Sequence, residues 1–245
     1  MTQTVALVTN VTQYAGPAGA TALAADGFHT VCHDQTFTDA AVRDAFAAAN
    51  PALIPIAEQE PEAMIAAASA HGTVEVVLSN DYVPPAAVMS EFDTAPLADF
   101  EFIVRELVYR PFQLIQAAIP SMKANRSGRI ILITSAVAVR PTPSAILYGA
   151  ARAASTSMTT AAAKALGEFN IQLNSIGPNW FENPTYFPPG RWEQDADLRA
   201  LVAKEVPLQR LGQQHEMGAL IAFLASGKAA PVTGQFFGFT GGWLP

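Results

Sequence analysis

Apolar residues fall in short runs separated by longer Ala-rich segments of helical period. The runs are 5–9, 30–32, 53–56, 74–78, 129–134, 171–176 and 235–239. None alternates strictly between apolar and polar positions, as expected of strands buried on both faces. The segments 17–26, 38–49, 60–71, 97–122, 145–168 and 214–226 suit helices. Strands and helices in alternation predict a parallel sheet covered on both sides. The fold class is therefore α/β: a doubly wound, Rossmann-like sheet of about seven strands, in one domain over 1–245. No internal repeat or low-complexity tail is present. The one long irregular stretch, 177–194, is rich in Pro, Asn and aromatics. A loop of that length is usually functional. It follows the sixth strand, so it covers the carboxyl ends of the strands, where open α/β sheets bind ligands.

Composition narrows the classes. Half of the 245 residues are hydrophobic, enough for a full core and against disorder. A net charge of −7 disfavours nucleic acid and anionic membrane as partners. The low share of charged residues, 14%, points to large subunit interfaces. Cys32 stands alone in an apolar run and reads as a buried, inert thiol. The start Met1-Thr2-Gln3-Thr4-Val5 lacks the charged and apolar regions of a signal peptide, and no stretch is long enough to span a bilayer. These features predict a cytoplasmic protein.

The candidate chemistry centres on Tyr148 and Arg152, with Ser135 at the end of the run Ile130–Thr134. Positions i and i+4 share one helix face, so the phenol and guanidinium point to one place. A phenol's ordinary pKa of about 10 is too high for a base at neutral pH. A permanent cation about 4–5 Å away contributes about 3–4 kcal/mol at an effective dielectric of about 20, enough to favour a phenolate. The set reads as a base directed at a hydroxyl. By itself, a Tyr/Arg pair at this spacing is equally a surface cation–aromatic contact. The four histidines, His29, His33, His71 and His215, show no metal spacing, and no nucleophile elbow is present.

After the first run comes Thr9-Asn10-Val11-Thr12-Gln13-Tyr14-Ala15-Gly16-Pro17-Ala18-Gly19. A dinucleotide-binding turn needs small residues whose N–H groups approach a pyrophosphate. Asn10 stands where the first glycine belongs, Tyr14 brings in a large ring, and Pro17 removes a donor. The loop is also about two residues long for that fingerprint. Two readings follow: a degenerate cofactor loop, or a cofactor site that has been filled. Asp34 ends the second run, where a carboxylate would hold a ribose; it reads equally as a turn or cap residue.

Ser135, Tyr148 and an i+4 cation on this scaffold resemble the short-chain dehydrogenase/reductase superfamily over essentially the whole chain, to Thr240-Gly241-Gly242-Trp243. That superfamily carries lysine where this chain has Arg152, and arginine is less suited to holding a ribose. Four features together resemble the halohydrin dehalogenases. They are Thr9-Asn10-Val11 with Tyr14, Ser79-Asn80-Asp81, the Ser135/Tyr148/Arg152 set, and Gly177-Pro178-Asn179-Trp180-Phe181 followed by Asn183 to Pro188.

The resemblance implies a reaction without redox cofactor or metal. A vicinal haloalcohol loses its hydroxyl proton, its oxygen attacks the neighbouring carbon, and halide leaves as the epoxide closes. In reverse, halide, azide, cyanide or nitrite opens the ring. Tyr148 is then the base, Ser135 the anchor of the substrate oxygen, and Arg152 the activating cation. Asp81 either holds Arg152 or is a solvated turn residue. The halide pocket falls to Tyr14, Tyr186 and Phe187 with the turn Pro178, Asn179, Trp180 and Phe181, whose backbone N–H groups and ring edges suit an anion. The same aromatics read otherwise as core packing. The resemblance further implies a homotetramer built on 97–122 and 145–168, where Met158, Ala161, Ala162 and Ala165 permit close helix packing. The alternatives are an NAD(P)-dependent short-chain alcohol dehydrogenase or reductase, which Asp34 favours, and a non-catalytic sensor on the same fold.

Overall fold

The computed structural model describes residues 3–244; Met1, Thr2 and Pro245, part of the reading of the chain's two ends, lie outside the described residues. In chain order the first half comprises β1 (Thr4–Val8), α1 (Gly16–Ala25), β2 (His29–His33), α2 (Ala40–Ala49), β3 (Leu53–Ile56), α3 (Pro61–Ser69) and β4 (Thr73–Ser79). The second half comprises α4 (Leu97–Val104), α5 (Arg110–Asn125), β5 (Gly128–Ile133), α6 (Ile146–Leu166), β6 (Ile171–Pro178), α7 (Arg191–Gln194), α8 (Ala196–Glu205), α9 (Gln214–Ala225) and β7 (Phe236–Phe239). All seven strands pair in parallel, in the order β3-β2-β1-β4-β5-β6-β7.

Successive side chains of a strand point to opposite faces, and here each face has its own core. Ala6, Val8, Ile131 and Ile133 pack with Leu23 of α1 and Met217 and Ile221 of α9. Val5, Leu7, Ile130 and Leu132 pack with Met64 of α3, Leu114 and Met122 of α5 and Leu166 of α6. The central strands are buried on both sides, which is why they carry no polar alternation. Pro55 is tolerated because β3 is an edge strand.

Three elements depart from the sequence reading, the least of them the one-turn α7 inside the stretch 177–194 read as irregular. The segment 97–122 is interrupted by a π-turn, Arg105–Tyr109, in which Arg110 N–H bonds Arg105 O five residues back. Pro111 follows at once and has no N–H to continue a regular ladder. The helix α8 was not anticipated. Its buried positions are only Leu198 and Val202, too sparse a stripe to read, and Asp195 starts it by accepting a bond from Leu198 N–H at 2.8 Å.

The order of strands reverses between β1 and β4, and ligands bind outside the carboxyl ends at such a switch point. The turn after β1, the segments after β4 and β5, and the long loop after β6 all gather there.

Candidate active site

The turn after β1 keeps the backbone shape of a phosphate-binding loop and fills it from within. Asn10 adopts φ +47°, the left-handed region that glycine would supply and that asparagine tolerates better than most residues. Gly16 is indispensable, since a Cβ there would lie 2.5 Å from Asn10 O. Each backbone N–H from Asn10 to Gly16 already has a partner. Asn10 N–H meets His33 Nδ1 at 3.3 Å, Val11 N–H donates to His33 O, and Thr12 N–H donates to Asp34 Oδ2 at 3.0 Å. Gln13 N–H donates to Asn10 O, Tyr14 N–H to Thr185 Oγ1 at 2.7 Å, Ala15 N–H to Asn80 Oδ1 at 3.1 Å, and Gly16 N–H to Gln13 O. Pro17 has none to give.

Asp34 is likewise committed. One carboxylate oxygen accepts from the N–H and hydroxyl of Thr12, the other from those of Thr36. Of its two sequence readings, the cap is the one the geometry supports. His33 beside it is buried, which pushes its pKa down, and its Nε2 lies 3.1 Å from Gln59 Oε1. Burial also pushes the Cys32 thiol up, as expected of an inert core cysteine. The residues present thus do not fit a nicotinamide dinucleotide: both its pyrophosphate donors and its ribose carboxylate are occupied by the chain itself.

Beside this turn lies a cavity of about 250 Å³ lined by Tyr14, Ser135, Tyr148, Pro178, Asn179, Trp180, Phe181, Tyr186 and Phe187, together with Val88, Met89, Val137 and Asn183. Every pocket residue named from sequence is therefore brought to one wall. Ser135 follows β5 and begins a short 3-10 turn, where its Oγ accepts from Val137 N–H at 3.4 Å. Tyr148 stands in the first turn of α6, and Arg152 lies one turn later behind it, its Cζ 5.0 Å from the Tyr148 ring centre.

Arg152 is only 1% exposed, and Asp81 does meet it, through the backbone. No carboxylate pairs with it among the described residues. Instead Nη1 donates to Ile133 O at 2.9 Å and Nη2 to Asp81 O at 2.8 Å, while Nε–H is buried without a partner. Asp81 therefore contributes its backbone carbonyl. Its carboxylate accepts from Ser79 Oγ at 2.6 Å, and burial pushes its pKa up to about 6, against the opposing pull of Ser79 and Arg152. A buried guanidinium compensated mainly by carbonyl dipoles favours a negative charge beside it.

Three phenols meet here, and their surroundings separate them. Tyr14 Oη donates to Thr134 O at 3.4 Å and Tyr186 Oη to Val83 O at 2.9 Å. Burial, reinforced by the neighbouring Tyr148, raises the pKa of both, so both stay protonated. Tyr148 Oη has no such carbonyl acceptor. The rings of Tyr14 and Tyr186 meet edge-on at 5.1 Å, and Phe181 lies 5.5 Å from Tyr14.

The turn after β6 departs from expectation as an anion site. Asn179 N–H donates to Phe239 O and Trp180 N–H to Asn179 Oδ1, both at 3.1 Å. The first bond ties the turn to β7, and the second closes the turn on itself. Trp180 Nε1–H is buried and unpartnered. Val88, Met89, Val137 and Asn183 were missed. Asn183 had a legible signal in its Asn-Pro pair, because Asn caps turns with its side chain; the three apolar residues had none.

No group of three or more His, Cys, Asp or Glu suited to a metal occurs among the described residues, and no helix among them is long and apolar enough to cross a membrane.

The family model of enoyl-(acyl carrier protein) reductase matches residues 15–243. The chain is 29% identical, over 70% of its length and 67% of the relative's, to the 3-oxoacyl-[acyl-carrier-protein] reductase FabG of Thermotoga maritima. Among solved structures it resembles a dehalogenation enzyme, with TM-score 0.93 and 33% identity over 99% of this chain and 98% of the other. It resembles equally, with TM-score 0.93 and 38% identity over 98% and 96%, a halohydrin dehalogenase, HheC, bound to ethyl (2S)-oxiran-2-ylacetate. With the altered cofactor turn and the Ser135, Tyr148 and Arg152 constellation, these likenesses establish that the chain belongs to the halohydrin dehalogenase branch of the short-chain dehydrogenase/reductase superfamily.

Proposed function

We propose that the protein interconverts vicinal haloalcohols and epoxides without a nucleotide. The observation that carries this reading is the occupied turn: with the N–H groups of residues 10–16 and both Asp34 oxygens engaged, a Tyr/Arg pair remains with no hydride source to serve. Tyr148 removes the hydroxyl proton of the substrate, and Ser135 Oγ holds the oxygen in place. The oxygen forms a bond to the adjacent carbon as the carbon–halogen bond breaks, and halide leaves with the bonding pair. The nucleophile belongs to the substrate, so the enzyme's task is positioning, proton transfer and charge stabilisation. Arg152 stands behind the base as a fixed positive charge that offsets the negative charge developing as the proton moves. The halide leaves against the ring edges of Tyr14, Tyr186 and Phe187, with Asn179 and Trp180 as the polar part of the wall. Pro178 and Phe181 complete that wall. Ring opening by halide or a small anion such as azide runs the same steps backwards, with Tyr148 protonating the epoxide oxygen.

Incubation with short vicinal chloro- and bromo-alcohols, with no nucleotide present, tests the proposal. Halide and epoxide appear in equal amounts. No halide from any of several such substrates overturns the reading, and oxidation of an alcohol that requires NAD or NADP installs a short-chain reductase in its place.

We further propose that the chain functions as a homotetramer. An apolar groove of about 400 Å³ between α5 and α6, with Phe112, Ile115, Ile119, Met158, Ala161, Ala162 and Ala165 on its walls, supports helix pairing between copies.

A further inference from the structure

Thr185 joins the loop after β6 to the turn after β1, although it does not line the cavity. Its Oγ1 accepts from Tyr14 N–H at 2.7 Å and donates to Gln13 Oε1 at 3.0 Å. Gln13 Nε2 donates to Thr12 Oγ1 at 3.4 Å, and Thr12 Oγ1 donates to Asp34 Oδ2 at 2.6 Å. A continuous run of side chains thus connects the loop to the end of β2. Its direction is set at both ends, because a backbone N–H only donates and a carboxylate only accepts.

Both partners joined at Thr185 carry cavity walls. On the loop side, the N–H groups of Thr185 and Tyr186 both donate to Asn183 Oδ1, at 3.1 and 2.8 Å, so the two residues share one frame. Asn183 is itself fixed by donating Nδ2–H to Phe181 O at 2.7 Å. On the turn side, Tyr14 sits at φ +46°, a left-handed conformation that a bulky residue rarely adopts and that its surroundings must enforce. The Thr185 hydroxyl bonds the backbone at that residue. The edge-on contact of Tyr14 with Tyr186 forms where the two pieces meet.

We propose that Thr185 is a positioning residue whose hydroxyl latches the loop to the turn and holds Tyr14 and Tyr186 together as cavity walls. The proposal rests on the cavity being the substrate and anion site. Ser135 follows β5, and Tyr148 and Arg152 stand on α6; none of the three takes part in the latch. Its loss therefore loosens the grip on ligand while the proton-transfer groups keep their own anchorage on α6 and after β5.

Thr185→Val keeps the shape and removes the hydroxyl; Thr185→Ser keeps the hydroxyl. Hydrogen exchange on the full chain without substrate reads the latch directly. The valine variant exchanges about tenfold faster within 13–15 and 183–187 than the parent, with β5 and α6 unchanged, and the serine variant matches the parent. With a bromo-alcohol substrate, the valine variant raises KM and the bromide inhibition constant about five- to tenfold, with kcat within about twofold. Serine restores both, and Gln13→Leu moves both in the same direction as valine. Parental exchange in the valine variant, or faster exchange throughout the chain, overturns the latch. Loss confined to kcat overturns it as well. A parent that releases no halide overturns the assigned reaction instead, and the exchange experiment still decides the latch.

Discussion

Tyr148, Arg152 and Asp81 show how surroundings divide labour among similar groups. Tyr14 and Tyr186 donate hydrogen bonds to backbone carbonyls, and Tyr148 does not. Tyr148→Phe therefore removes the base while leaving ring packing intact. Halide release falls by at least about 10²–10⁴-fold, with the melting temperature and bromide binding little changed; retained turnover means the base is another group. Arg152→Lys loses the two-carbonyl grip on Ile133 O and Asp81 O, because an ammonium cannot reproduce a planar fork. Turnover drops by about 10²-fold or more, and nucleotide binding is not gained, since the turn stays filled. A titration showing tight NAD or NADP binding contradicts this. Asp81 carries a pH signature. Burial holds its folded pKa at about 6, above the ordinary carboxylate value of about 4. Its contribution is therefore fully present below about pH 4 and is lost as pH rises through about 6. Asp81→Asn removes that loss. Between pH 5 and pH 7.5 the variant gains about 1–2 kcal/mol relative to the parent in denaturant unfolding. A constant offset across that range rejects the assignment.

At the scale of elements, the β1–α1 turn retains glycines that serve packing and loses those that serve phosphate. A Cβ on Gly19 would meet Leu78 Cδ2 at 2.2 Å, so that glycine brings α1 against the sheet. Gly16 lies against the backbone of Asn10 and Val11, which cannot move aside as a side-chain tip can. Gly16→Ala therefore costs about 1–3 kcal/mol, read as a lower denaturant midpoint, and shifts the Tyr14 wall. An unchanged midpoint shows that the turn relaxes freely. The loop after β6 gains its order by borrowing: Thr185 and Asn183 fix it to the turn and to itself, while α8 packs Leu198 and Val202 in a cluster with Trp180 and Phe187.

For the whole molecule, the groove between α5 and α6 is an apolar surface that the proposed tetramer would cover. Phe112 is 50% exposed and adjoins the small residues of α6. Ala161→Glu places a charge on that exposed face without entering the core of one subunit. Sedimentation of this variant shows dissociation of the tetramer to smaller species, with the subunit fold retained by circular dichroism. A parent that sediments as a monomer overturns the proposed assembly.

What was legible in the chain by itself was local and periodic. Apolar runs, Ala-rich helical segments and their alternation determined the parallel sheet, because burial on both faces leaves no other pattern. The Tyr148–Arg152 spacing and the damage at Asn10, Tyr14 and Pro17 were legible for the same reason: each is a statement about neighbours along the chain. Tertiary structure decided what depends on groups far apart in sequence. Only folding brings Thr185 to Tyr14 N–H, Asn80 to Ala15 N–H, and the carbonyls of Ile133 and Asp81 to Arg152. That Asp81 meets Arg152 through its backbone carbonyl rather than its carboxylate was decided there, because a charge pattern in sequence does not reveal which backbone oxygens a buried guanidinium will meet. The missed walls Val88, Met89 and Val137 failed likewise, since an apolar residue gains a role at a cavity only from what the fold sets opposite it.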